Sequence, residues 1–171
     1  MILEPRLWDI ARAVRSFLEP IWPEWHRDRG RKPDVPSRGT CGRSSLFLQH
    51  VLRHDCRLSA DWTTGVPIES QQGPKDPGLG IFTGHDWHAH SWVEVEGGWV
   101  VDITADQFLL PAIIVTPIAD ARYRKGPIDP AGSDFRKARI AAAAALWPLW
   151  EASQERAKLL AALDRDSANL A

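Results

Sequence analysis

Three residues have the types that thiol chemistry needs: Cys41, His90 and Asp102. A cysteine thiolate attacks a carbonyl carbon, an imidazole moves protons to and from the reacting atoms, and a carboxylate orients the imidazole. Cys41 opens a stretch that reads as a helix over about 41–55, because Cys41, Ser45, Leu48 and Leu52 fall on one face with Val51 beside them, and Thr40 stands where an N-cap would. A thiol in a first helical turn meets the positive end of the helix dipole and unpaired backbone N–H groups, both of which favour the thiolate. The N–H of Cys41 is then a natural donor to an oxyanion. The other cysteine, Cys56, would lie about 22 Å away along such a helix, against the ~7 Å between Cα atoms that a disulfide tolerates. It is expected to serve packing.

Whether His90 meets Asp102 depends on strand register. Residues 88–95 and 99–104 read as a β-hairpin. A three-residue turn, Glu96-Gly97-Gly98, with Gly98 left-handed, sets Val95 opposite Trp99, Val93 opposite Val101 and Ser91 opposite Ile103. That face is almost wholly apolar. The other face then carries His90, Trp92 and Glu94 against Val100, Asp102 and Thr104, with Asp102 diagonal to His90 and within reach. A two-residue turn would scramble the apolar set. Asp106, four residues past Asp102, is the second choice for the orienting carboxylate.

A competing chemistry is metal-activated water. His85, His88 and His90 crowd one short segment, and His-x-His on a strand makes a workable metal pair. The segment 78–84 is Gly-rich but has neither the lysine nor the strand–helix setting of a phosphate loop. It reads instead as part of a flap, residues 67–86, leading into the histidine strand. Tryptophans 87, 92 and 99 flank the proposed site as a pocket wall or as core.

The elements that must position these residues follow from periodicity. Leu3, Leu7, Ile10, Val14 and Leu18 mark an amphipathic helix over 3–18, ended by Pro20 and Pro23. Residues 22–39 read as an irregular basic loop, solvated or in contact with an anion or substrate. Strands are expected at 60–66, at the hairpin and at 112–116. A helical tract from Asp134 should be split by Pro148 and run to about Leu163, covering the sheet or mediating self-association through Trp147 and Trp150. The expectation is an α+β fold with an antiparallel sheet, in one domain over 1–171: an N-terminal helix and basic loop (1–38), a catalytic core (39–117) and a C-terminal helical extension (118–171). The 171 residues carry 21 Lys and Arg against 22 Asp and Glu, which argues against nucleic acid or an anionic membrane as partner. No apolar run reaches the roughly 18 residues of a membrane span. The N-terminus is not built as a secretory signal, so a cytoplasmic location is expected.

The segments Gly39-Thr-Cys-Gly-Arg-Ser-Ser-Leu-Phe-Leu, His90-Ser-Trp-Val-Glu-Val and Val101-Asp-Ile-Thr resemble, in type and order, the transglutaminase-like group of the papain-like superfamily. The resemblance covers about residues 39–104. It implies a papain-like fold and acyl chemistry by a Cys41–His90–Asp102 triad, with no cofactor. The substrate would be a peptide, protein or small amide, and the acyl group would pass to water or to another acceptor. Ile103 replaces the proline usual after the aspartate, and Val35 stands where papain-like enzymes carry a glutamine six residues before the cysteine. The second oxyanion donor is therefore open, with Gln107, Arg38 and Trp92 as candidates and His88 as a substrate-side or rim residue.

Overall fold

The first amphipathic stretch forms α1 (Leu3–Leu18), which buries Leu7, Ile10, Ala11, Val14, Phe17 and Leu18. The computed structural model describes residues 3–28, 30, 32–67, 78–126 and 133–168. The expected irregular loop opens with a short helix, α2 (Trp22–Arg27). Pro23 sits in its first turn, where a missing N–H costs nothing. Six residues are too few for a periodic signal, and tertiary bonds hold this turn. The Trp22 indole donates to Ser44 Oγ at 3.1 Å, and the buried His26 pairs through Nε2 with the Pro36 carbonyl at 2.7 Å.

Helix α3 (Cys41–His54) begins where the pattern placed it and buries Phe47, Leu48, Val51 and Leu52. Thr40 stands before it but does not cap through its side chain. Its hydroxyl donates back to the Ser37 carbonyl at 2.7 Å, while its own carbonyl accepts the N–H groups of Arg43 and Ser44. Cys56 lies just past the helix in the core, where burial pushes its thiol up to about 12.

Seven strands follow among the described residues: β1 (Ala60–Gly65), β2 (Gly80–Phe82), β3 (Trp87–His88), β4 (His90–Val95), β5 (Trp99–Asp102), β6 (Ile114–Pro117) and β7 (Tyr123–Arg124). They make two antiparallel sheets, one in the order β1-β4-β5-β6 and one in the order β3-β2-β7. Residues 80–82, expected within a flap, are thus the central strand of the second sheet. Residues 68–77 of the expected flap lie outside the described residues. The two sheets approach at Gly65 of β1, where a Cβ would collide with the backbone of Gly80 and Arg124, and Gly80, whose φ is +103°, has no room for a Cβ beside the His88 carbonyl of its own sheet.

The C-terminal tract divides into α4 (Ser133–Ala144), α5 (Trp147–Glu151) and α6 (Gln154–Ala168), with Pro148 in the first turn of α5. Its aromatic residues turn inward. Trp150 is fully buried edge-on against Phe17 and Phe47, with centroids at 5.2 and 5.8 Å, and its indole donates to Asp55 Oδ2 at 2.8 Å. Trp147 packs on His50 and His54. Of the two alternatives for this tract, Trp150 is spent on the chain's own core and is not offered to a partner. Ala143, Leu146, Trp150 and Leu159 share that core with α1, α3 and the first sheet, so the C-terminal segment is more than an extension.

The architecture is mixed α+β, with small antiparallel sheets and flanking helices. Among the described residues no helix is long and apolar enough to cross a membrane.

Candidate active site

The hairpin adopts the expected register: Val95 pairs with Trp99, Glu94 with Val100 and Val93 with Val101. Gly97 and Gly98 both take positive φ, +79° and +81°, so both glycines are used where one was expected. The expected Ser91–Ile103 pair lies beyond the end of β5. This register puts His90 at the start of β4 and Asp102 at the end of β5. His90 Nε2 meets Asp102 Oδ2 at 2.7 Å, with the two residues 2% and 0% exposed.

A carboxylate so deeply buried needs donors for all its lone pairs. Asp102 Oδ1 accepts the Thr104 backbone N–H at 2.9 Å and the Thr104 hydroxyl at 3.3 Å. Oδ2 accepts, besides His90, the hydroxyl of Tyr123 at 3.0 Å. Burial alone would raise the Asp102 pKa, but the His90 charge and these bonds hold it below the ordinary carboxylate value. Burial likewise opposes the imidazolium, yet the charge and hydrogen bond of Asp102, with help from Cys41, push His90 up to about 10.

Cys41 is the first residue of α3 and keeps part of its surface open. The helix is fastened to the histidine strand by Ser45 Oγ, which donates to the Ser91 carbonyl at 2.9 Å. Burial acts against ionisation of the thiol most strongly. Hydrogen bonding and charge from His90 and the Ser91 backbone outweigh it against the opposing charge of Asp102, so the thiol lies below its ordinary pKa. His90 Nδ1 is buried and has no well-formed hydrogen bond among the described residues. Ring and thiol are nevertheless near enough for each to favour the other's charged form. Such contacts are often loose before a substrate binds.

The chain entering α3 is held by the turn after β5, a 3₁₀ segment at Ala105–Phe108. The Gly39 N–H donates to Gln107 Oε1 at 3.1 Å, while Gln107 Nε2 donates to the Thr104 carbonyl at 2.8 Å. Ser37 Oγ donates to Asp106 Oδ1 at 2.6 Å, and Arg15 of α1 grips the same carboxylate through Nη2 at 2.6 Å. Asp106, the second choice for orienting His90, is therefore committed to bracing the turn. Gln107, a candidate oxyanion donor, uses its amide to tie residue 39 to residue 104.

The other candidates separate by burial. Trp92 is buried with its ring stacked 6.3 Å from that of His90, which makes it a wall behind the histidine and removes it from direct contact with a substrate in this conformation. Arg38 is exposed and pairs with Asp34 at 3.2 Å. His88 is half-buried, stacked on Phe108 at 5.1 Å, and Phe108 meets His90 edge-on at 5.0 Å. His85 is exposed. Among the described residues no group of three or more His, Cys, Asp and Glu side chains is placed to hold a metal, so His85, His88 and His90 are not brought together as a ligand set. The Asp102 partner Tyr123 was not expected. Its one signal in the sequence is that it is the chain's single tyrosine.

Leu109, next to Phe108, is 92% exposed with a φ of +63°. A left-handed leucine is strained, and no packing is lost by removing it. Leu109→Gly is expected to raise stability by about 1 kcal/mol, read as a higher urea midpoint at unchanged slope. An unchanged or lower midpoint would contradict this.

No family model matches the chain, and no curated protein matches it. A solved structure, the crystal structure of a genomics target, is similar at 20% identity over 86% of this chain and 78% of its own length, with a TM-score of 0.42.

Proposed function

We propose that this protein is a transglutaminase-like cysteine enzyme with a papain-like fold, acting at amide or peptide carbonyls through Cys41, His90 and Asp102. The observation that carries this reading is the buried 2.7 Å bond from His90 Nε2 to Asp102 Oδ2, beside a thiol that opens a helix. Asp102 keeps the ring oriented and cationic, which leaves Nδ1 as the nitrogen that serves Cys41.

In this mechanism the Cys41 thiolate attacks the carbonyl carbon, a C–S bond forms, and the oxygen takes the negative charge toward the Cys41 N–H. The oxyanion collapses, the C–N bond breaks, and His90 delivers its proton to the departing amine. Water or a second nucleophile then attacks the thioester and gives its proton to His90, and the thiolate leaves. No step needs a cofactor.

Alkylation tests the reading directly. At about pH 6 an ordinary thiol, with pKa near 8.5, is almost wholly protonated. Iodoacetamide is expected to label Cys41 at that pH while Cys56, buried and pushed up to about 12, stays unlabelled. Peptide mapping of the product reads the result. Cys41 labelling that rises only near the ordinary thiol pKa would overturn the proposal and favour a non-catalytic module.

A further inference from the structure

We propose that Tyr123 is a positioning residue of this site, holding Asp102 in place and limiting how strongly it binds the proton of His90. The inference rests on the triad reading above. The phenol donates to Oδ2, the same oxygen that His90 meets, at 3.0 Å against 2.7 Å. With both Thr104 donors on Oδ1, it completes the set around a carboxylate that no water reaches.

The hydroxyl comes from the other sheet. Tyr123 lies on β7, paired with Ile81 of β2, whereas Asp102 ends β5. Its ring meets Trp92 edge-on at 5.3 Å, and Trp92 in turn stacks on His90. Tyr123 therefore fixes the carboxylate by a hydrogen bond and backs the imidazole through one intervening ring. Burial and the Asp102 charge raise the phenol's pKa far above its usual value, so it stays a donor wherever the site is active. The other charged groups that bear on the pair are Cys41 from α3 and Arg122, which sits with Asp120 on the turn before β7.

A neutral donor on Oδ2 takes up part of the negative charge that would otherwise face the imidazolium. Without it Asp102 remains ionised with one donor fewer and pulls harder on the His90 proton. Tyr123→Phe should therefore move the deprotonation of His90 upward in pH.

Carboxymethylation of Cys41 by iodoacetate reads this limit without a known substrate, because the anionic reagent is drawn by the imidazolium and slows when His90 loses its proton. The rate in wild-type protein is expected to fall on an alkaline limb that His90→Ala abolishes. In Tyr123→Phe the limb should shift upward by about half to one pH unit, while Asp102→Asn shifts it downward. In the Asp102→Asn background, Tyr123→Phe should produce no upward shift. A wild-type limb that stays in place in Tyr123→Phe, even if stability falls, overturns this inference alone. A wild-type profile without a His90-dependent limb overturns the triad reading and this inference with it. If Tyr123→Phe does not fold, the intact protein still decides. Its single tyrosine makes tyrosinate absorbance a report on Tyr123 alone. That signal should stay silent until the protein unfolds in alkali, and ionisation near pH 10 in the folded state overturns the inference.

Discussion

Replacing His90 with alanine is expected to slow carboxamidomethylation of Cys41 at about pH 6 by on the order of 10²-fold. Any turnover should fall by at least about 10³-fold. Two effects add. The imidazolium that favours the thiolate is gone, and burial and the negative charge of Asp102, both of which raise the thiol pKa, are then opposed only by the Ser91 backbone bond and the helix N-terminus. The estimate is held to about 10² because a more basic thiolate, although scarcer, is intrinsically more nucleophilic. His90→Ala with Asp102→Asn should recover part of the alkylation rate, since the opposing charge is removed as well. A Cys41 rate unchanged in His90→Ala would show that the thiol is not coupled to the ring.

Trp150→Ala should be the most damaging change outside the site, at about 3–5 kcal/mol. The indole is fully buried among Phe17, Phe47 and the core of α3, so truncation leaves a cavity bounded by three helices that cannot collapse together. It also removes a donor from Asp55, whose carboxylate then relies on Arg156 at 2.9–3.0 Å. Trp150→Phe keeps most of the volume and should cost about 1–2 kcal/mol, mainly the hydrogen bond to a charged acceptor. Urea midpoints measure both. A loss below about 1 kcal/mol for Trp150→Ala would mean that the C-terminal helices unfold apart from the rest. The same cluster gives an acid dependence. Burial raises the Asp55 pKa, but the bonds from Arg156 and Trp150 bring it below its ordinary value. Its contribution is therefore complete above the ordinary carboxylate range and is lost as pH falls through the depressed value. In Trp150→Phe that loss should be smaller and should be complete at a higher pH.

The parts of the structure legible in the sequence are those with a short-range code. Helix α1 declares itself by apolar residues at helical spacing, and α3 by a face that runs from Cys41 to Leu52. The hairpin is a stronger case. One turn length keeps an apolar face intact, and that constraint alone places His90 and Asp102 within reach of each other, as the structure has them. The expected triad geometry therefore rests on periodicity, which neighbouring residues encode.

What the tertiary structure decided is everything that depends on distant segments meeting. No local pattern says that Arg15 reaches Asp106 across 91 residues, so from sequence alone Asp106 rivals Asp102 as the partner of His90. Nor does one say that Trp150 turns inward to Asp55 across 95 residues when an exposed aromatic face was the alternative. Strands of two or three residues, such as β2, β3 and β7, have no periodicity to detect and exist because the glycines at 65 and 80 let a second sheet lie against the first. Tyr123 arrives on one of them. By itself, then, the sequence determined which residues share a strand face and so that His90 and Asp102 meet. Only the tertiary structure decided what surrounds them, because the donors that complete a buried carboxylate come from wherever the chain happens to return.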